Sequence, residues 1–227
     1  MEFIKLTRLQ LLNDMNETQI HYGDTKFDIR KFKSIKNRVW NKPSGGLWGS
    51  SISSDHNWAW FCESEGFRIN KLSNCFKYRI TGKIYEINSY QDLCDVPVKL
   101  NHPYIEELFI DFEKLRDLGY SAIHLTWEGQ RDTRWSTGMS LYGWDVECTL
   151  LLNPNTIIFP KIYIYCRKNK RIKTSAGIFG SIKAMYRYYK NNIVQSLGDT
   201  VISEPIFSAI NNKIIGKLEV KWKQTKN

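Results

Sequence analysis

Residues 144–154 read Trp144-Asp145-Val146-Glu147-Cys148-Thr149-Leu150-Leu151-Leu152-Asn153-Pro154. This pattern predicts a strand over residues 144–152 that ends in an Asn-Pro turn. A carboxylate inside an otherwise apolar strand is costly unless it is paired or used, so Glu147 is a candidate functional group. Alternation places it on the face of Asp145, opposite Val146. The alternative is that both carboxylates face solvent on an amphipathic strand.

Around this strand the chain alternates short strands with short helices, which predicts an α+β fold. Further strands are predicted at residues 19–22, 47–51, 75–87 (one long strand or a hairpin), 120–125, 157–165 (interrupted by Pro160) and 214–222. Helices are predicted at residues 3–16, 58–62 (capped by Ser53, Ser54 or Asp55), 88–95 (after Asn88 or Ser89) and 105–118 (with Gly119 at C′). Residues 24–38 predict a helix or a helical turn, and the polar, Gly-rich residues 128–143 predict a mobile loop.

Positive charge is concentrated in the last third of the chain. Residues 1–160 hold 19 Lys and Arg against 20 Asp and Glu, a net of −1, whereas residues 161–227 hold 14 against 3, a net of +11. Such segregation indicates a polyanionic partner, most simply a nucleic acid, although a merely solvated basic surface is the alternative. Within this region the basic run contains Arg167, Lys168, Lys170 and Arg171. An apolar helix face follows, formed by Ile178, Ile182, Met185, Tyr189, Ile193 and Leu197.

The chain has five cysteines at wide spacings and no Cys-x-x-Cys pair. We therefore expect buried thiols in a reducing, cytoplasmic compartment and no metal site. No run approaches the ~18 consecutive apolar residues of a membrane span, so no membrane association is expected.

Three local patterns follow one another along the chain: Ile20-His21-Tyr22-Gly23, then Gly46-Leu47-Trp48-Gly49-Ser50 before a helix, and then the strand with Glu147. This order resembles the three-part signature of the His–aromatic–Glu class of ADP-ribosyltransferases, which includes diphtheria-like toxins and poly-ADP-ribose polymerases. Residues 118–123 and the Asn153-Pro154 turn are similar to further features of that class. The resemblance covers residues 18–160.

The resemblance implies a pair of mostly antiparallel sheets around an NAD cleft in residues 1–160. The basic residues 161–227 would pack on this core, complete the fold and bind a polyanion. It also implies a phage–bacterium conflict as the setting, with a neutralising antitoxin or other partner protein.

The roles that the resemblance implies concern NAD as a substrate. His21 would bind the nicotinamide ribose, and Gly23 would present backbone groups to the amide. Tyr22 and Trp48 would stack on nicotinamide, and Ser50 would support Glu147. Glu147 would stabilise the cationic sugar that forms as nicotinamide leaves.

Two departures from the family pattern affect these roles. Asp24 stands where the family has Thr, which leaves open an NAD-binding protein without activity. Asp145 stands where enzymes that modify Arg have Gln or Glu, so it would instead orient or deprotonate another acceptor.

Residues 128–143 would touch the acceptor in this family. They contain Arg131, Arg134, Trp135 and Tyr142, a mixture of cations and rings that suits a nucleotide, because cations meet phosphates and rings stack on bases. An ordinary polar loop is the alternative.

Three other functions remain open from the sequence. The transferase could modify a protein, and the chain could be a non-catalytic nucleic-acid-binding protein. The third is a metal-dependent nuclease, in which Asp199 and Glu219 would hold the metal and Lys221 would lie near the phosphate.

Overall fold

A computed structural model describes residues 17–38, 40–100, 108–166, 172–174, 176–179, 181–190, 202–208 and 214–224. The α+β class is confirmed. The chain divides into two compact units, residues 1–157 and residues 158–226. Whether the two predicted parts, divided after residue 160, carry separate functions stays a prediction.

The first unit is built on a six-stranded sheet with the order β3-β1-β2-β8-β7-β4 and a two-stranded sheet formed by β5 and β6. Neighbouring strands are antiparallel except β4 and β7, which are parallel. The strands are β1 Gln19–Tyr22, β2 Leu47–Ser51, β3 Cys75–Ile80, β4 Lys83–Ile87, β5 Val98–Leu100, β6 Leu108–Ile110, β7 Tyr120–Leu125 and β8 Cys148–Leu151.

Residues 75–87 form neither the single long strand nor the hairpin that was predicted, because β3 and β4 do not pair with each other. β3 pairs with β1, whereas β4 pairs with β7 at the other edge of this unit's sheet. Thr81 donates its backbone N–H to Thr156, and Gly82 then takes a φ of +99°. A side chain is strained at such a φ, so Gly82 lets the chain turn away from β3 instead of folding back on it.

Four α-helices of the first unit are α1 Trp58–Ser64, α2 Tyr90–Cys94, α3 Phe112–Asp117 and α4 Trp127–Thr133. Ser89 caps α2 and Gly119 has a φ of +81° after α3, as predicted. The cap of α1 was predicted wrongly, because the Asn57 side chain accepts from the backbone N–H groups of Ala59 and Trp60.

Two predicted elements are overridden by tertiary contacts. Within the predicted helix 105–118, residues 108–110 form β6 because they pair with β5, and residues 105–107 lie outside the described residues. The predicted loop 128–143 begins as α4, whose cap is the Thr126 hydroxyl, which accepts from Gly129. Of residues 24–38, only Ile29–Lys31 form a 3₁₀ turn.

The core of the first unit centres on Trp144, which is 1% exposed. Its ring meets the edge of Trp48 at a centroid distance of 4.7 Å and lies parallel to Phe112 at 6.3 Å. Its indole N–H donates to the backbone carbonyl of Asn41. The segment before β8 is therefore anchored by a large buried ring whose N–H group has a hydrogen-bond partner.

The second unit contains a five-stranded antiparallel sheet with the order β11-β10-β12-β13-β9. Its elements are β9 Ile157–Cys166, β10 Ile172–Thr174, β11 Gly177–Phe179, α5 Ile182–Tyr188, β12 Ile202–Ser208 and β13 Ile214–Gln224. The predicted interruption at Pro160 is wrong, because β9 runs through it and Pro160 stays in register with Trp222.

The predicted apolar helix face of the second unit is shorter than expected. Ile178 belongs to β11, while Met185 and Tyr189 are buried on α5 and just after it. Ile193, Leu197, the helix predicted at 3–16 and the basic residues Arg167, Lys168, Lys170 and Arg171 lie outside the described residues. No helix in the described part of the chain has the length and apolar character needed to cross a membrane.

Candidate active site

The three sequence patterns lie on neighbouring strands. β2 has β1 on one side and β8 on the other, with Ile20 opposite Ser50 and Trp48 opposite Leu150. Segments that are about a hundred residues apart in sequence are thus adjacent in the sheet.

A cavity of about 270 Å³ opens beside these strands. It is lined by Ile20, His21, Tyr22, Lys42, Trp48, Gly49, Ser50, Trp58, Arg68 and Cys148. A neighbouring cavity of about 380 Å³ shares Tyr22, Trp58 and Arg68 with it and reaches Gly23. All five residues predicted to bind the cofactor therefore line one of two cavities that share three residues; we call this pair the aromatic cavity.

His21 is held in one orientation. Its Nδ1 lies 2.7 Å from the backbone carbonyl oxygen of Trp48. A carbonyl can only accept, so Nδ1 carries a proton, and in the tautomer with a single ring proton Nε2 is the acceptor. A Cβ built on Gly23 would lie 3.9 Å from that Nε2, so the acceptor atom faces the glycine of the same pattern.

The walls of the aromatic cavity are flat rings. Trp58 stacks on Phe61 at 5.3 Å, and Trp48 is fixed by its contact with Trp144. Burial raises the pKa of Tyr22, so its hydroxyl stays neutral at ordinary pH. Such walls favour a planar aromatic ligand group.

Three cations that line the aromatic cavity, Lys42, Arg68 and Lys71, were not singled out from the sequence. Lys42 donates from Nζ to the carbonyl of Gly143 at 2.8 Å and lies 5.8 Å from the centre of the Trp48 ring. Arg68 has a φ of +51°, an uncommon conformation for a non-glycine residue. Lys42 could have been noticed because it stands directly before the Pro43-Ser44-Gly45-Gly46 turn, whereas nothing in the sequence marks Arg68.

Ser50 and Cys148 have structural contacts. The Ser50 hydroxyl oxygen accepts from the backbone N–H of Trp58 at 3.1 Å, so it fixes the start of α1. Burial raises the pKa of the Cys148 thiol far above its usual range, so Cys148 is not a thiolate nucleophile.

Glu147 lies directly before β8 and its side chain is 12% exposed. It is not among the residues that line the aromatic cavity, to which β8 contributes Cys148. Its Oε1 lies 3.9 Å from Nε2 of His124, and Nδ1 of His124 is 2.8 Å from the Thr149 hydroxyl. His124 was missed from the sequence, although a lone histidine in the apolar strand 120–125 is a visible signal.

The residues predicted to contact the acceptor form one partial cluster. The Arg134 guanidinium lies 5.7 Å from the Trp135 ring and 5.2 Å from the Tyr142 ring, and these rings are 4.8 Å apart. Trp135 is 74% exposed, so it offers a face for stacking. Arg131 lies apart from this cluster, beside Glu128 and Asp132.

The carboxylate of Asp145 offsets the charge of Arg134 in this cluster. Asp145 Oδ1 lies 3.9 Å from Nη1 of Arg134, which links the predicted acceptor residues to the segment before Glu147. The cluster therefore favours ring stacking over phosphate binding.

The residues of the predicted nuclease are only partly described. Glu219 Oε1 lies 2.7 Å from Nζ of Lys217, and Asp199 falls outside the described residues. Among the residues that the structure describes, no three His, Cys, Asp or Glu side chains are grouped so as to hold a metal ion.

Comparisons with known proteins were negative: no protein-family model, no curated protein and no solved structure matches the chain.

Proposed function

We propose that the chain is an NAD-dependent mono-ADP-ribosyltransferase that modifies a nucleic acid, RNA or DNA. One observation carries the proposal: His21, Tyr22, Trp48 and Ser50, taken from two separate sequence patterns, line one cavity beside the strand that follows Glu147. The arrangement of the strands as the split sheets of that enzyme class, and a setting of phage–bacterium conflict with a neutralising partner, belong to the same proposal.

The aromatic cavity supplies the groups that NAD needs. Tyr22, Trp48 and Trp58 offer rings for nicotinamide. His21 offers an acceptor nitrogen for a ribose hydroxyl, and Arg68 offers positive charge for the pyrophosphate.

The reaction breaks the bond between the nicotinamide nitrogen and C1′ of its ribose, and the bonding electron pair leaves with nicotinamide. Glu147 stabilises the positive charge that develops on the sugar, which requires that the segment before β8 carry its carboxylate away from His124 and into the aromatic cavity. An acceptor atom then forms the new bond to C1′, and Asp145 takes its proton. Asp145 suits this role because Arg134 holds it beside the exposed rings.

The acceptor docks on the Arg134, Trp135 and Tyr142 cluster. Exposed rings stack on unpaired bases with little sequence preference. The net charge of +11 in residues 161–227 supplies the attraction to phosphates that the cluster lacks.

The test is an incubation of the purified protein with labelled NAD and, separately, with RNA, DNA and a cell lysate. We expect label on nucleic acid, and a rate that falls by about 10²–10³ in Glu147→Gln because a fixed anion is lost from the transition state. Glu65→Gln, the same change at an exposed site, should leave the rate unchanged. Label on lysate protein alone would move the proposal to a protein acceptor. A folded protein that shows no transfer and releases no nicotinamide would refute it.

The charge segregation favours a second candidate, a non-catalytic nucleic-acid-binding protein. This function needs neither NAD nor Glu147. Binding of single-stranded RNA that weakens steeply with salt, in a protein that releases no nicotinamide, would establish it instead.

A further inference from the structure

A second cavity of about 200 Å³ lies on the opposite face of β8 from the aromatic cavity. Thr149 lines it, whereas the preceding residue, Cys148, lines the aromatic cavity, and consecutive strand residues point to opposite faces. Its polar lining is Glu17, Gln19, Glu86, His124 and Thr149, and two isoleucines complete it. We call it the acidic cavity.

Hydrogen-bond acceptors dominate the acidic cavity. Glu17 uses Oε1 to accept from the Ser53 hydroxyl, and Glu86 uses Oε1 to accept from the Asn88 amide, so each carboxylate keeps a second oxygen. No lysine or arginine of the described chain lines this cavity. The charge of the two carboxylates is therefore not neutralised by its walls.

Gln19 is the second, independent sign of a ligand. It is 4% exposed, and its amide N–H donates to the Ser51 hydroxyl at 3.2 Å. Its carbonyl oxygen is buried and has no hydrogen-bond partner among the described residues. Buried acceptors are almost always satisfied, so this oxygen marks a position where a donor belongs.

A third carboxylate lies behind the histidine of this cavity. Thr149 fixes the His124 ring at Nδ1, and the opposite ring nitrogen lies 3.9 Å from the Glu147 carboxylate. The negative charge near the acidic cavity is thus larger than its lining alone provides.

We propose that the acidic cavity binds a small organic cation with N–H donors, of which an alkylammonium group is the simplest. The ammonium would donate to Gln19 and to the free oxygens of Glu17 and Glu86. A metal ion fits less well, because the described residues contain no cluster of three ligating His, Cys, Asp or Glu side chains. An anion would be repelled, and an apolar group would leave the Gln19 oxygen without a partner.

The test uses putrescine, with 1,4-butanediol as a neutral probe of the same length, at matched ionic strength. Thermal stability reports binding, because a ligand that binds only the folded state raises Tm in a saturable way. The NMR signal of the His124 ring reports where the probe binds. We expect saturable stabilisation by putrescine, none by butanediol, and a shifted His124 signal.

Glu86→Gln and Glu17→Gln should each weaken putrescine binding about tenfold, since each replaces a charge-assisted hydrogen bond with a neutral one. Glu65→Gln, the same change at the exposed residue directly after α1, should bind as the unaltered protein does. Absence of saturable binding, equal binding of butanediol, or unchanged affinity in both cavity variants would overturn the proposal. None of these outcomes depends on transferase activity, so the proposal fails or stands separately from the proposed function.

Discussion

The aromatic cavity and the acidic cavity share one strand but offer opposite chemistry. The aromatic cavity has rings and the cations Lys42, Arg68 and Lys71, while the acidic cavity has Glu17 and Glu86 and a buried amide oxygen. The two faces of β8 separate them at the peptide between Cys148 and Thr149. A single strand can therefore serve two ligands of opposite charge, and changes on one face should leave the other intact.

The largest expected effect is loss of the support beneath the aromatic cavity. Trp144→Ala removes a fully buried ring that contacts Trp48, so we expect the free energy of unfolding to fall by about 3–5 kcal/mol. Urea denaturation of the purified variant measures this. Trp135→Ala, the same change at a residue 74% exposed, should cost no more than about 0.5 kcal/mol. Equal losses in both variants would mean that Trp144 is not a core residue.

A smaller effect separates the two cavities by ligand. Arg68→Gln removes a positive charge from the aromatic cavity, so we expect the affinity for NAD to fall about tenfold. Glu86→Gln alters the acidic cavity and should leave NAD affinity unchanged. Titration calorimetry on both variants measures the contrast. A loss of NAD affinity in Glu86→Gln but not in Arg68→Gln would reverse the assignment of the two cavities.

The smallest effect concerns Tyr78, whose ring lies against Gly49, a residue of the aromatic cavity. Its hydroxyl is buried without a hydrogen-bond partner among the described residues, and burial raises its pKa well above the usual value. Tyr78→Phe removes that polar atom, so stability at neutral pH should rise by about 1 kcal/mol.

The pH dependence of stability follows from the same burial. Tyr78 and Cys148 keep their protons in the folded protein at a pH where they lose them in the unfolded chain. The folded state then binds more protons, so stability falls as pH rises above about 8.5, first through the cysteine and then near 10 through the tyrosine. Denaturation over this range should show a flatter decline in Tyr78→Phe. An identical decline in both proteins would show that Tyr78 ionises normally in the folded state.

The sequence predicted the parts of the site that depend on local pattern. β1 and β2 were predicted as short stretches that end before Gly23 and begin after Gly46, and the cap at Ser89 follows from its own side chain. The strands with which these elements pair could not be predicted from the sequence. Residues 108–110 become a strand because β5 lies beside them, which no local propensity expresses.

The residues that complete the site were missed for the same reason. His124 meets Glu147 because β7 pairs with β8, and Arg68 reaches the aromatic cavity through the turn that follows α1. Both contacts arise from tertiary structure and leave no spacing signal in the sequence. The extent of α4 was misjudged because its Gly129 resembles a loop residue, whereas the structure uses it for close packing against Ile87.

The most direct measurement is a crystal structure of Glu147→Gln grown with NAD, since this variant should bind NAD without consuming it. We predict nicotinamide between Tyr22, Trp48 and Trp58, with the pyrophosphate beside Arg68. NAD bound in the acidic cavity, or an aromatic cavity without NAD in a protein saturated with it, would contradict the account.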